Sequence, residues 1–440
     1  MQLPGSHPLP HDAESAAEHV TPYDRLTWTD TQVESLLASG AQQQELTAYF
    51  GEDEYRELAR LARAAQTAQL RPDAGTTVIV PGIMGSQLAL ARRAPLPHDI
   101  LWLDPVDIGA GRLAALKVPE SRDIMPLGVV LYSYLRLKLY LKIAGLHPVF
   151  HHYDWRLGID ELGRQLAQRL QTETGSPLTV VAHSMGGLVS RAALARPEAR
   201  AVTRVVLLGT PNFGSFAAVQ ALRGTYAVVR KIARLDGVHT AEFLASEVFA
   251  TFPSLYQMLP AAGHAGSIDL FDPSAWPRSG PRPRGELLAR ARRMGEALAP
   301  PDERFAVIVG FNQETVTAVA RRRDDFIYTI SRHGDGTVPT ACARLPGALT
   351  YHAPVSHSEL TRSAAIARAI ADLLQTGTTR RLPRRVSARS AAVAHISDRA
   401  LRRTHVGKVD WASLEPDQRR LYLQNLNEPP QLRLRVPARR

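Results

Sequence analysis

Short apolar runs alternate with amphipathic stretches over residues 77–208. Thr77-Val78-Ile79-Val80, Pro148-Val149-Phe150, Leu178-Thr179-Val180-Val181 and residues 203–208 read as strands buried on both faces. Helical spacing between them predicts helices around 130–144, 160–173 and 185–195. Strand–helix alternation of this kind predicts an α/β protein with a doubly wound, mostly parallel sheet. The rhythm stops for about 90 residues, from Asn212 to Pro301, before the strand Phe305-Ala306-Val307-Ile308-Val309. An insertion of that length predicts a helical cap over one edge of the sheet. Its apolar residues, Phe213, Phe216, Val228, Val229, Ile232, Phe243, Leu244, Phe249, Phe252, Leu255, Tyr256 and Met258, are candidates to face a ligand, although most of them are expected to pack the cap's own core. Its Pro/Arg-rich end, Pro273 to Arg293 with Trp276, reads as a mobile rim, and Leu101 to Pro105 as a second rim.

Upstream, Thr29 looks like a helix cap, followed by Val33, Leu36, Leu37, Leu46, Phe50, Tyr55, Leu58 and Leu61 at helical spacing. The expected organisation is therefore a flexible and helical appendage over 1–70, with 1–20 disordered. A core over 71–375 follows, with its cap insertion at about 212–301, and then a tail over 376–440.

Charge sets the tail apart. The chain carries a net charge of +11, yet residues 376–440 hold 15 Lys/Arg against 5 Asp/Glu, leaving 38 against 37 for the rest. A basic tail on a neutral core suits adsorption to an anionic membrane surface or docking on a protein partner. Nucleic acid is not expected, because aromatic residues hardly interleave with the arginines. The most apolar stretch, Val129 to Leu146, contains Arg136, Lys138 and Lys142 and so is no membrane span. Met1 to Gly5 shows no basic or apolar leader, and Cys342 is the single cysteine. The expectation is a cytoplasmic protein, peripheral at a membrane at most. No metal-ligand cluster, phosphate loop or dinucleotide fingerprint is present, so no metal and no cofactor is expected.

The candidate chemistry centres on Val180-Val181-Ala182-His183-Ser184-Met185-Gly186-Gly187. A strand that stops at a serine with small residues two positions to either side, Ala182 and Gly186, and continues as a helix is the context of a nucleophile elbow. A serine needs a histidine to take its proton and a carboxylate to orient that histidine, in the chain order Ser, acid, His. Asp335 sits in a glycine-flanked turn, Gly334-Asp335-Gly336, while Asp324 and Asp325 beside Arg321–Arg323 compete as acids but read as a charge cluster. His357 precedes a helical pattern, and His352 continues a strand. The oxyanion donors expected are the amides of Met185, after the nucleophile, and Ile83, in the loop Pro81-Gly82-Ile83-Met84-Gly85-Ser86.

Several segments together resemble the lecithin:cholesterol acyltransferase family, including its bacterial members. They are Val80 to Leu88, Tyr153-Asp154-Trp155-Arg156, the elbow, Gly209-Thr210-Pro211, Phe252 to Pro260 and Gly334 to Pro339, and they occur in the family's order over about residues 75–375. The resemblance implies an α/β-hydrolase with Ser184 as nucleophile, Asp335 as acid, His357 as base, and Ile83 and Met185 as oxyanion donors. It further implies an acyl-ester or lipid substrate, split by a lipase or phospholipase or passed on by an acyltransferase. Tyr153 to Arg156 reads mainly as structural. Trp102, Trp155, Phe213 and Tyr256 are the candidate substrate-binding side chains. A general carboxylesterase, a peptidase and a non-catalytic scaffold are the alternatives. A complete triad disfavours the scaffold, and an apolar cap disfavours the peptidase.

Overall fold

The computed structural model of the 440-residue chain describes residues 27–119, 123–173, 175–264, 266, 268–386, 393–404 and 407–426. The expected disorder of 1–20 and the terminal Arg439-Arg440 pair lie outside the described residues.

β1 (Thr76–Val80) is followed by a small antiparallel sheet of β2 (Ser86–Leu90), β3 (Asp99–Trp102) and β4 (Ile124–Val129). The large sheet resumes with β5 (His147–Phe150), β6 (Leu178–His183), β7 (Val202–Leu208) and β8 (Phe305–Gly310). β9 (Thr315–Arg322) and β10 (Asp325–Ser331) form a hairpin, β11 (Leu349–Ala353) completes the large sheet, and β12 (Ala394–Ser397) joins the hairpin. The large sheet has the order β11-β8-β7-β6-β1-β5, and every neighbouring pair is parallel. β1, β6 and β8 are buried at every position, as continuous apolar runs between two helical layers must be. Helices Ile159–Thr172 and Met185–Leu194 cover one face, and Leu131–Ile143 and Ala364–Thr376 the other. This is the doubly wound sheet of an α/β-hydrolase, and residues 212–301 insert helices between β7 and β8.

The topology fixes where chemistry can occur. β6 lies between β1 and β7, and Val80 pairs with Ala182. The loops leaving β1, β6 and β7 therefore emerge side by side at the carboxyl edge, where ligands of open α/β sheets bind.

Three expected surface features are built differently. Leu101 and Trp102 belong to β3 and are buried, so this stretch is interior rather than rim. Trp276 is also buried; its indole N–H donates to the Leu270 carbonyl (2.9 Å), and the Arg278 and Ser279 amides donate to Asp324. That end of the insertion is anchored, because the indole and the backbone amides each find an acceptor. The segment expected as a basic tail folds back over its described residues. Asp398 is fully buried and receives Arg223 (2.9 Å), the Tyr328 hydroxyl (2.9 Å) and Arg402 (2.5 Å). Lys408 donates to the carbonyls of Ala233, Asp236 and His239 and closes the C-terminal end of the cap helix Ala227–Leu235, where the helix dipole favours a cation.

At the other end, helices Asp30–Ser39, Gln43–Phe50 and Glu52–Thr67 pack on Leu135 and Leu139 of helix Leu131–Ile143. The charges that interrupt the apolar run are paired there: Lys138 with Asp30 and Glu34, Arg136 with Glu54. Among the described residues no helix is long and apolar enough to cross a membrane.

Candidate functional site

Ser184 ends β6 and begins helix Met185–Leu194 with φ 55° and ψ −127°. Such angles cost a residue with a Cβ about 1–3 kcal/mol and persist only where the surroundings impose them. Here the Ser184 amide donates to the Leu208 carbonyl (2.8 Å), and the turn is clamped by close approaches. A Cβ on Gly186 would lie 2.3 Å from the Pro81 carbonyl oxygen, and one on Gly187 would lie 1.9 Å from Thr210 Oγ1. Ala182 and Gly186 are legible from the sequence, whereas the necessity of Gly187 comes from Thr210, in the loop that follows the neighbouring strand β7.

Asp335 and His357 come together from separate loops. Asp335 Oδ2 accepts from His357 Nδ1 (2.7 Å), Oδ1 accepts the amides of Thr337 (2.9 Å) and Val338 (2.7 Å), and the His357 amide donates to the Asp335 carbonyl (2.8 Å). With Nδ1–H committed to the carboxylate, Nε2 is the nitrogen left to accept a proton. Two glycines at strand ends make room. A Cβ on Gly209 would meet Asp335 Oδ2 and His357 Nδ1, both at 3.0 Å, and one on Gly310 would meet Asp335 Cβ at 2.5 Å. His357 and Ser184 line one cavity of about 100 Å³. The competing candidates lie elsewhere. Asp324 caps the Arg278 and Ser279 amides, Asp325 accepts the Arg399 amide, and His352 in β11 accepts from Arg344 (3.1 Å).

Gly82 lies so close that a Cβ on it would be 2.8 Å from Ser184 Cβ, which sets the loop carrying Ile83 against the serine. Met185 is the first residue of its helix, so its N–H has no partner inside the helix.

Behind the serine runs a buried chain of hydrogen bonds. The Gly82 amide donates to the Tyr134 hydroxyl (2.9 Å), that hydroxyl bonds His183 Nδ1 (3.0 Å), and His183 Nε2 bonds the His357 carbonyl (3.0 Å). A carbonyl only accepts, so Nε2 carries the proton, Nδ1 accepts, and Tyr134 donates. Burial, and secondarily the His357 imidazole, push His183 well below the ordinary histidine range, so it stays neutral.

A second cavity, about 70 Å³, opens from Ser184 into the insertion. It is walled by Trp155, Val229, Phe249, Phe252, Leu255 and Met258, with Tyr226 and Thr337 at the side shared with the first cavity.

Residues 149–279 match the family model described as lecithin:cholesterol acyltransferase. Over that stretch the chain resembles this family, and its strand order is that of an α/β-hydrolase fold. No curated protein matches it in sequence. Solved structures offer distant likenesses. The mature form of the lipase BlEst2 from Bacillus licheniformis is 14% identical, with TM-score 0.38, over 71% of this chain and 95% of that one. The Tle4-Tli4 complex gives 13% and 0.43 over 70% and 99%. Phospholipase PlaB from Legionella pneumophila gives 12% and 0.32 over 69% and 60%. At such values the fold rests on the strand order above.

The matched stretch contains the elbow, Tyr153 to Arg156 and Phe252 to Pro260. These motifs meet around the Pro81–Ser86 loop. The Tyr153 hydroxyl donates to the Pro81 carbonyl (2.6 Å), the Trp155 indole to Ser86 (3.0 Å) and the Trp102 indole to Met84 (2.9 Å). Arg156 forks onto Asp154 (2.9 and 2.7 Å) and reaches the Leu116 carbonyl, while the Ser254 hydroxyl donates to the Trp155 carbonyl (2.7 Å). Of the four expected substrate-binding side chains, only Trp155 lines a cavity that reaches Ser184. Trp102 is buried behind the Pro81–Ser86 loop because its N–H is used there. Phe213 stacks on His264 (4.4 Å) at a different surface cleft. Tyr256 is fully buried, its hydroxyl held by the Ala250 carbonyl and the Arg284 amide. Among the described residues no group of three or more His, Cys, Asp or Glu side chains could hold a metal ion.

Proposed function

We propose that the protein is a serine-dependent acyl-ester hydrolase or O-acyltransferase that acts on lipids through an acyl-enzyme on Ser184. The observation that carries this reading is the 2.7 Å Asp335–His357 contact beside a serine held in strained elbow angles. Ser184 Oγ attacks the ester carbonyl while His357 Nε2 takes its proton, and Asp335 holds the imidazole and stabilises its cation. The Ile83 and Met185 amides hold the developing oxyanion, each worth about 3 kcal/mol of transition-state stabilisation. His357 then returns the proton to the leaving alcohol, and water or a second alcohol, deprotonated by the same imidazole, releases the acyl group.

The predominantly apolar wall of the 70 Å³ cavity supports a fatty acyl chain as the group transferred. On this reading the enzyme works in the cytoplasm, peripheral at a membrane. Its exposed Arg380, Arg384, Arg385, Arg399 and Arg403 would each gain about 1 kcal/mol near anionic lipid.

The test is mass spectrometry of products after incubation with mixed phospholipid vesicles and a long-chain alcohol, with Ser184→Ala in parallel. Fatty acid or acylated alcohol that vanishes in the variant supports the reading. No product from the native protein on any ester contradicts it.

A further inference from the structure

An acyl-enzyme is released by water or by an alcohol, and the walls around Ser184 bear on which. Five residues line both cavities that meet at the serine: Ile83, Met84, Ser184, Tyr226 and Thr337. An acyl carbon bonded to Ser184 Oγ lies at that junction. Apart from the serine, only Tyr226 and Thr337 bring a hydroxyl to it.

The backbone that carries these two hydroxyls is held in place. Thr337 donates its amide to Asp335 Oδ1 (2.9 Å), and its carbonyl receives the Ser215 hydroxyl (2.5 Å). The Tyr226 amide donates to the Gln220 carbonyl (3.1 Å) at the start of helix Ala227–Leu235. Thr337 Oγ1 is buried without a hydrogen-bond partner, and the Tyr226 phenol stands beside it. Burial pushes that phenol up to about 12, so it stays protonated and can donate. Other hydroxyls of the polar cavity are engaged: Tyr134 bonds His183 Nδ1, and Thr361 donates to the Ser358 carbonyl. A buried oxygen without a partner is rare in a folded protein, and at a reaction centre it marks where a polar reactant supplies the missing bond.

Water is the reactant that needs such partners. A long-chain alcohol is held by its hydrocarbon part and brings its oxygen with it. Water has no such part, so its residence depends on about two to four hydrogen bonds. The 100 Å³ cavity has room for a few waters at about 30 Å³ each, and its wall includes His357, which takes the proton.

We infer that the hydroxyls of Tyr226 and Thr337 hold the deacylating water beside His357, and so direct the acyl group to water rather than to an alcohol. The inference rests on the acyl-enzyme reading above. Tyr226 donates to the water oxygen, Thr337 Oγ1 accepts one water proton, and His357 Nε2 takes the other as the oxygen bonds to the acyl carbon. Collapse of the tetrahedral intermediate breaks the bond to Ser184 Oγ, which recovers the proton from His357, and a fatty acid leaves.

The test reads how one intermediate divides. A p-nitrophenyl fatty ester is turned over at a fixed concentration of 1-hexanol, and mass spectrometry gives the ratio of hexyl ester to fatty acid. Both products come from the same acyl-enzyme, so the ratio does not depend on how much of a variant is folded or how fast it is acylated. Tyr226→Phe and Thr337→Val should each raise the ratio at least about fivefold over native, the factor carried by one lost hydrogen bond. Thr337→Ser keeps the hydroxyl and should stay within about twofold of native. A ratio in either Tyr226→Phe or Thr337→Val that falls, or stays within about twofold of native, overturns the inference. Loss of all acylation in both variants also overturns it, because the pair would then act in the first step. A native protein that gives no p-nitrophenol burst and takes no acyl mass at Ser184 refutes the acyl-enzyme reading itself.

Discussion

Tyr134→Phe isolates the buried chain that links the loop after β1 to the backbone of His357. The substitution removes one oxygen and leaves the ring in place. The Gly82 amide then loses its acceptor and His183 Nδ1 loses its donor, both of them buried groups. A tautomer change offers no escape, because moving the proton to Nδ1 would break the bond from Nε2 to the His357 carbonyl. A buried polar group left without a partner costs about 1–3 kcal/mol, so two should lower stability by about 2–4 kcal/mol after relaxation. Activity should fall as well, since Gly82 precedes the expected oxyanion donor Ile83. Full loss of one such donor would cost about 100-fold or more, and a loosened loop should cost about 10- to 100-fold in kcat. Urea unfolding, with the m-value checked for constancy, gives the first number, and turnover of a soluble ester gives the second. A stability change below about 0.5 kcal/mol together with kcat within about twofold of native would refute the reasoning.

Ser184→Gly should abolish ester turnover yet raise stability by about 1 kcal/mol in thermal melts, because glycine accepts the elbow's positive φ without strain. Gly187→Ala should cost about 2–3 kcal/mol by overpacking against Thr210, and a double-mutant cycle with Thr210→Ala should show strong coupling. Burial pushes His151 down to about 3 from an ordinary 6.5, so the unfolded chain binds the extra proton between those values. The stability this histidine confers is therefore present above pH 6.5 and is lost as pH falls. Native protein should lose about 2 kcal/mol more than His151→Phe between pH 7 and pH 5, read from denaturant midpoints. Asp398→Ala leaves Arg223 buried without its carboxylate and should cost about 3–5 kcal/mol, with limited proteolysis appearing first around residues 393–404.

What the sequence makes legible follows from local physics. The strands at 76–80 and 178–183 are buried at every position and 202–208 from Val205 onward, so their apolar runs stand out, and the helices between them bury one periodic stripe. Ser184 stands out because a strained turn tolerates only small neighbours, and the turns around Asp335 and His357 carry glycine and polar signals of their own. The features that escape notice depend on partners far along the chain. Gly209 and Gly310 look like ordinary strand ends until the acid–base pair is seen to fill the space their missing Cβ atoms leave. Trp102 and Tyr256 look like pocket aromatics, but their polar atoms are spent on backbone partners that sequence spacing does not reveal. The C-terminal segment reads as a basic tail because charge counting cannot see the buried Asp398 or the three carbonyls that receive Lys408.

The central claim is that Ser184 carries the acyl group. Rapid quenching of the native protein with a p-nitrophenyl fatty ester, followed by peptide mass analysis, tests it most directly. The account predicts a burst of p-nitrophenol approaching the enzyme concentration, an acyl mass on the peptide containing Ser184, and neither in Ser184→Ala. Turnover that persists in Ser184→Ala, or an acyl mass on any other residue, would contradict it.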